Sequence, residues 1–355
     1  MAAKTTKTVA PLLLGLCLTA CGGGGSGDDG PQPTATPTAS ATPVPTAAPT
    51  PLPTAVPTPT PTPVVGSDLS TVRSITLGQL EHRYRLYVPA RLVSATDVPL
   101  VISLHGGGTD AANHDVFTRL RLTAAAEGFA LMTPDGYGQT WNAGTCCAPS
   151  SAFRIDHVGA IDAMLDDVAT VIAVDDDRVF ATGHSNGGML AYRLACELSE
   201  RIAAIAPNAA VMMDTDLDTT PPTEVYACQP TRPVPVLHIH GLADRCTPFE
   251  GGVSAGVAGG TRKSAAETID FWVSNNRCTL APLLASYSNG AARCEQYSLC
   301  QAGANVELCT IEGAGHIWPG NGFSPAAGDA CGGTGSDDLD ANSYIWEFFR
   351  THPRR

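Results

Sequence analysis

The residues best suited to chemistry in this chain sit where apolar runs give way to glycine. The first such place is Gly183-His184-Ser185-Asn186-Gly187-Gly188, which follows Val179-Phe180-Ala181-Thr182 and leads into a stretch of helical spacing. A G-x-S-x-G turn between a strand and a helix keeps side chains small around a sharp bend and lifts the serine hydroxyl off the sheet, where it can attack a carbonyl carbon. A hydroxyl is a weak nucleophile near neutral pH, so an imidazole base and an acid to orient it must come from elsewhere. Asp244 closes the run Val236-Leu237-His238-Ile239-His240-Gly241-Leu242-Ala243-Asp244, and strand ends are where a sheet delivers its site residues. His316 lies in Gly313-Ala314-Gly315-His316-Ile317-Trp318-Pro319-Gly320, a loop shaped by glycines before it and proline after it. Asp214, Asp216 and Asp218 read as solvated loop, His238 and His240 as satisfied core, and His82 and His352 as surface.

An attacked carbonyl develops an oxyanion that needs backbone donors. Leu104-His105-Gly106-Gly107-Gly108-Thr109 follows a strand upstream of the serine, and its glycines let main-chain N–H groups face a substrate. The expected donors are the N–H groups of Gly107 and Asn186, with Gly108 as second choice. His105 and His184 flank them and are candidates for substrate contact, and Trp141 and Trp318 are candidates for an aromatic wall.

These residues need a scaffold that collects strand ends. Short β-rich runs at 83–88, 100–105, 130–133, 178–182, 203–207, 236–240 and 306–311 are mostly separated by helical patterns, clearest at 118–127, 158–174, 187–197, 264–275 and 343–349. Several runs are continuously apolar, as expected of strands covered on both faces. An α/β architecture follows: a mostly parallel, doubly wound sheet with helices on both faces.

The motif set His105-Gly106-Gly107-Gly108, Trp141-Asn142-Ala143-Gly144-Thr145-Cys146-Cys147, Gly183-His184-Ser185-Asn186-Gly187-Gly188, His240-Gly241-Leu242-Ala243-Asp244 and Gly315-His316-Ile317-Trp318-Pro319-Gly320 resembles the secreted α/β-hydrolase esterases of the feruloyl esterase and polyhydroxybutyrate depolymerase-like type. The resemblance implies the α/β-hydrolase fold and carboxylic-ester hydrolysis without metal or organic cofactor, with Ser185, Asp244 and His316 as the triad. It leaves open feruloyl or aryl esters, short-chain acyl esters, acetyl groups on xylan, and polyester. Acyl transfer or a non-catalytic binding scaffold are the readings of another class. Where relatives tend to have paired aspartates before Val-Gly, this chain has Asp156-His157-Val158-Gly159, which puts the substrate preference of relatives in doubt here; Asp156 is still placed to cap a helix.

Composition agrees with an exported ester-acting protein. Of 355 residues, 43% are hydrophobic and 15% charged, enough for a large core, and the net charge of −13 argues against nucleic acid as a partner. Twelve cysteines without a C-x-x-C pair point to an oxidising compartment. The N-terminus, with Lys4 and Lys7, an apolar run at 9–18 and Leu18-Thr19-Ala20-Cys21, resembles a bacterial lipoprotein signal. It implies cleavage of 1–20 and lipidation of Cys21, with anchoring to the outer membrane or cell surface; ordinary secretion is the alternative. The lipid is the only membrane contact expected. Residues 21–65 begin with glycines and continue into 12 Pro and 10 Thr between positions 31 and 63, too poor in bulky apolar groups to bury a core, so an extended spacer is expected before a catalytic domain at 66–355. Ten cysteines remain beyond Cys21. Adjacent Cys146 and Cys147 are expected to bond different partners, and a bridge among Cys294, Cys300 and Cys309 to staple a hairpin near 302–305 to the His316 loop.

Overall fold

Strand β3 (Val98–Leu104) is buried along its whole length and stands fourth in a ten-stranded sheet. In the computed structural model the described residues are 66–354 apart from 257, 280–283 and 325–328. The expected leader, Cys21 and the Pro/Thr segment lie outside the described residues. The sheet runs in the order β1 (Leu69–Leu77), β2 (Leu80–Val88), β4 (Ala130–Pro134), β3, β5 (Val174–His184), β6 (Ala204–Asn208), β9 (Val236–Gly241), β14 (Val306–Ile311), β13 (Ala292–Tyr297) and β12 (Leu284–Asn289). All pairings from β4 across to β14 are parallel, and the two strands added at each edge are antiparallel. Two short ribbons, β7 (Thr215–Asp216) with β8 (Thr223–Glu224) and β10 (Gly252–Val253) with β11 (Thr261–Arg262), lie outside it.

Alternation along the central strands divides the core in two. Leu100, Ile102 and Ala181 face helices α3 (His157–Ala169), α4 (Asn186–Glu197) and α5 (Ala265–Asn275). Val101 and Phe180 face α2 (Leu120–Glu127) and α6 (Ala341–Thr351). The sheet is therefore covered on both faces, which explains why its central strands read as unbroken apolar runs. Helix α3 is capped by Asp156, which accepts from Gly159 N at 2.8 Å, as its position predicts. In α5, Ser264 and Glu267 close a capping box.

The structure differs from the sequence pattern in identifiable places. The helix expected at 118–127 is α2, and a further helix not expected, α1 (Ala111–Thr118), capped by Asp110, precedes it across Arg119 at φ 57°. Strand β1 escapes the pattern because its sheltered face carries Thr71 and Arg73 while Val72 points outward at 48% exposure; Arg73 is bonded to Asp167 at 2.7 Å. His82, expected at the surface, is buried with its ring edge-on to His157.

The ten described cysteines form five disulfides, and two expectations about them fail. Cys146 and Cys147 bond each other rather than separate partners. Cys294–Cys309 joins paired strands β13 and β14, and Cys278–Cys300 anchors the segment between them, so neither reaches the His316 loop. Cys246–Cys331 does that, and Cys196–Cys228 ties the end of α4 to a surface loop.

Phe349 of α6 stacks on Phe180 of β5, centroids 4.7 Å apart and planes 7° apart, with both side chains fully buried. Phe349→Ala is expected to cost about 3–5 kcal/mol in urea unfolding, the range for a large-to-small change in a packed aromatic core; a loss below about 1 kcal/mol would show that α6 is not part of the core.

Candidate active site

Ser185 occupies the one residue between β5 and α4, with φ 55° and ψ −122°, a conformation that costs a non-glycine residue free energy and persists only under strong surrounding constraint. That constraint is steric. A Cβ on Gly187 would lie 2.2 Å from the Leu104 carbonyl oxygen, one on Gly183 would lie 2.6 Å from the Gly187 carbonyl carbon, and one on Gly188 would lie 2.7 Å from Ala210 Cβ. The serine backbone is pinned by its N–H to Asn208 O at 2.9 Å, and its side chain makes no capping hydrogen bond to α4. The hydroxyl is thus not used in holding the helix.

Asp244 follows β9 in a tight turn and is 3% exposed. Its Oδ1 accepts the N–H groups of Cys246 and Thr247, both at 2.8 Å, and its Oδ2 accepts Nδ1–H of His316 at 2.6 Å. With Nδ1 engaged as donor, the imidazole presents Nε2 as its acceptor. The acid and histidine loops press together: a Cβ on Gly241 would meet Ala314 O at 2.4 Å, and one on Gly315 would meet Gly332 O at 1.9 Å. Arg245 N donates to Cys331 O at 2.8 Å beside the Cys246–Cys331 bridge.

Ser185 and His316 line one cavity of about 290 Å³, together with Gly106, Gly107 and His184. Its remaining wall comes from α1 and the residues leading into it: Thr109, Asn113, His114 and Phe117. Gly108 N–H is bonded to Gln139 O at 2.8 Å, so of the two glycines considered as oxyanion donors Gly107 is the one not committed to that bond. The Asn186 side chain is clamped on the Trp141 backbone, accepting its N–H at 2.6 Å and donating to its carbonyl at 3.1 Å.

Three residues expected to contact substrate do not line this cavity. Trp141 is 1% exposed and its indole N–H donates to His105 O at 2.8 Å. Trp318 is fully buried and donates to Asn342 Oδ1 at 2.9 Å. His105, also fully buried, bonds Gly106 O through Nδ1 at 2.7 Å and accepts Gly136 N–H at Nε2 at 2.9 Å. Trp141 and His105 brace the glycine loop from behind, whereas Trp318 ties the segment after His316 to the start of α6, which is how large amphipathic groups are used when their polar tips find partners. His184 does line the cavity, wedged between Phe117 and His316 at centroid distances of 5.1 and 4.6 Å. Sequence reading missed Asn113, His114 and Phe117; the signal available for them was Asp110 in N-cap position ahead of Ala111-Ala112.

Seven of the nine histidines are buried, and burial lowers the pKa of each, to about 3 for His114 and His157. The unfolded chain takes up protons as pH falls through the ordinary imidazole value near ~6.5, whereas the folded chain refuses them until far lower. More protons bind the unfolded state in that window, so stability is present above about pH 6.5 and is lost as pH falls below it. The urea midpoint should fall steadily from pH 7 to 5, ahead of carboxylate titration; a flat or rising midpoint there would contradict neutral burial of these rings.

Comparison with known proteins agrees with this architecture. Residues 99–227 match the family model described as alpha/beta hydrolase fold. The chain is 32% identical over 277 residues to "Putative esterase NocK" of Nocardia uniformis subsp. tsuyamanensis, covering 73% of this chain and 77% of that protein. It is 30% identical over 234 residues to feruloyl esterase B of Piromyces equi, covering 64% of this chain but 41% of that longer protein. A solved structure titled "putative dipeptidyl aminopeptidase IV" from Bacteroides ovatus shares the fold, with a TM-score of 0.52 at 14% identity over 80% of this chain and 36% of that one. The chain belongs to the esterases of the α/β-hydrolase fold.

Proposed function

We propose that the chain is a serine carboxylic-ester hydrolase that works through an acyl-enzyme. The observation that carries this reading is the His316 Nδ1–H bond to buried Asp244, made by an imidazole that shares a cavity with the strained, uncommitted Ser185. His316 takes the Ser185 proton as the hydroxyl attacks the ester carbonyl, and Asp244 holds the imidazole in the required tautomer and offsets its charge. The N–H groups of Gly107 and Asn186 receive the oxyanion. His316 then returns the proton to the leaving alcohol, and water repeats the sequence on the acyl-serine. Ser185→Ala is expected to lower kcat by at least about 10³-fold, since the members of such a set act as a unit; retention of a tenth of wild-type turnover would overturn the mechanism.

The proposed substrates are feruloyl or other aryl esters and short-chain acyl esters. A cavity near 290 Å³ lies at the lower end of the ~300–1,000 Å³ usual for small-molecule sites, and Phe117 gives it an aromatic side. A polymeric ester is favoured as a second reading by the apolar rim, where Phe323, 53% exposed, meets Phe117 at 5.8 Å and Val116 is 78% exposed. A panel of p-nitrophenyl acetate, butyrate and octanoate, methyl ferulate and emulsified polyhydroxybutyrate separates them. Preference for octanoate over acetate and ferulate would contradict the small-cavity reading.

Export is supported by the five disulfides, which persist in oxidising compartments. Anchoring through a lipidated Cys21 follows from the leader, and two acyl chains suffice to hold a protein on a membrane. Cys21→Ser is expected to abolish fractionation with membranes, and a chain beginning at Gly66 to be soluble with unchanged kcat; wild-type protein found only in the medium with a free N-terminus would rule out the anchor.

A further inference from the structure

Behind Asp244 runs a second, fully buried line of hydrogen bonds that the mechanism above does not use. Tyr192, on the helix that begins at Ser185, bonds His238 Nδ1 through its hydroxyl at 2.5 Å. His238 Nε2 meets His240 Nδ1 at 2.8 Å, and His240 Nε2 meets the carbonyl oxygen of Thr247 at 2.7 Å. Thr247 is the residue whose N–H donates to Asp244 Oδ1. His240 Nε2 also stands 3.6 Å from Asp244 Oδ2, too far for a hydrogen bond but close enough for its N–H dipole to act on the carboxylate.

The order of protons along this line is forced by one end of it. A carbonyl oxygen can only accept, so His240 carries its proton on Nε2 and its lone pair on Nδ1. His238 must then donate from Nε2, which leaves its Nδ1 as acceptor of the Tyr192 hydroxyl. Every donor points toward the Asp244 turn. The reverse order would set a lone pair of His240 against both Thr247 O and the carboxylate. Tyr192, His238 and His240 are all fully buried, and burial lowers the pKa of both imidazoles. A neutral His240 leaves the Asp244 charge undivided for His316, where an imidazolium at that distance would compete for it.

We propose that Tyr192, His238 and His240 form a positioning relay that ties the helix starting at Ser185 to the turn bearing Asp244 and fixes the carboxylate for His316. The relay rests on the serine-hydrolase reading for its consequence in turnover, but the geometry it maintains is measurable without turnover. Its members touch neither substrate nor reacting atoms; they act through Asp244. A role confined to filling the core would change stability and leave the Asp244–His316 bond as it is.

Tyr192→Phe keeps the ring and removes the hydroxyl alone. It is expected to lower kcat about 5- to 20-fold with KM within twofold, well short of the ~10⁴-fold that accompanies a wrong tautomer at the catalytic histidine. The far-downfield proton resonance of His316 Nδ1–H, assigned by its loss in Asp244→Asn, should move upfield in Tyr192→Phe. His240→Gln, whose amide can donate to Thr247 O, should keep kcat within about threefold, and His240→Leu should not. Should His240→Leu fail to fold, Tyr192→Phe still decides. A Tyr192→Phe protein with kcat within twofold of wild type and an unmoved resonance would overturn the relay. Failure of the serine-hydrolase reading would show differently, as turnover surviving Ser185→Ala while the resonance still responds to Tyr192→Phe, which would leave the relay standing.

Discussion

The candidate site depends on a contact too close for side chains. Where β3, β5 and α4 meet, Gly183 and Gly187 bring backbone against backbone at distances at which a Cβ would lie 2.2 to 2.6 Å from its neighbours. That approach forces the chain to turn within one residue, places Ser185 at positive φ and starts α4 immediately after it. It also sets the end of β3 beside the start of α4, so that the glycine loop from 106 to 108 lies next to Asn186. A Cβ on Gly107 would be 3.7 Å from Asn186 Cβ, ordinary contact rather than collision. The position of Ser185 and its closeness to Gly107 and Asn186 are two results of one packing constraint.

Around that turn main-chain hydrogen bonds hold the loops in place, and burial keeps the imidazoles uncharged. The loop from 136 to 142 braces His105, Gly108 and Asn186 by main-chain hydrogen bonds. Buried histidines near it are held neutral, and each has at least one ring nitrogen in a hydrogen bond, as His105, His114, His238 and His240 illustrate. In a site of low effective dielectric, stray charge would act strongly on Asp244 and His316. Histidine in neutral form gives directional donors and acceptors without that cost, at the expense of stability in acid.

Much of this was legible in the sequence because close packing leaves a compositional trace. Glycine at 183, 187, 241 and 315 is required by contacts under 3 Å, and each of those glycines lies within three residues of Ser185, Asp244 or His316. The central strands were legible because burial on both faces demands unbroken apolar runs. What was hidden was hidden for physical reasons. Helix α1 packs a polar face inward, with His114 bonded to Ser103 Oγ at 2.9 Å, so it lacks the apolar stripe that marks a helix. Strand β1 turns Arg73 inward to Asp167 and Val72 outward, inverting the usual alternation. Trp141 and Trp318 have the composition of a pocket wall, and only their indole hydrogen bonds reveal them as braces. The pairing of Cys146 with Cys147 is set by a local backbone path that residue spacing does not encode.

The central claim is that Ser185 is a nucleophile activated by the Asp244–His316 pair, and covalent capture tests it most directly. The protein is treated with an organophosphorus ester, digested and mapped by mass spectrometry, with Asp244→Asn run in parallel. A single stoichiometric adduct on the peptide carrying Ser185, formed far more slowly in Asp244→Asn, is the expected result. An adduct on another residue, none at all, or labelling of Ser185 at an equal rate in Asp244→Asn would contradict it.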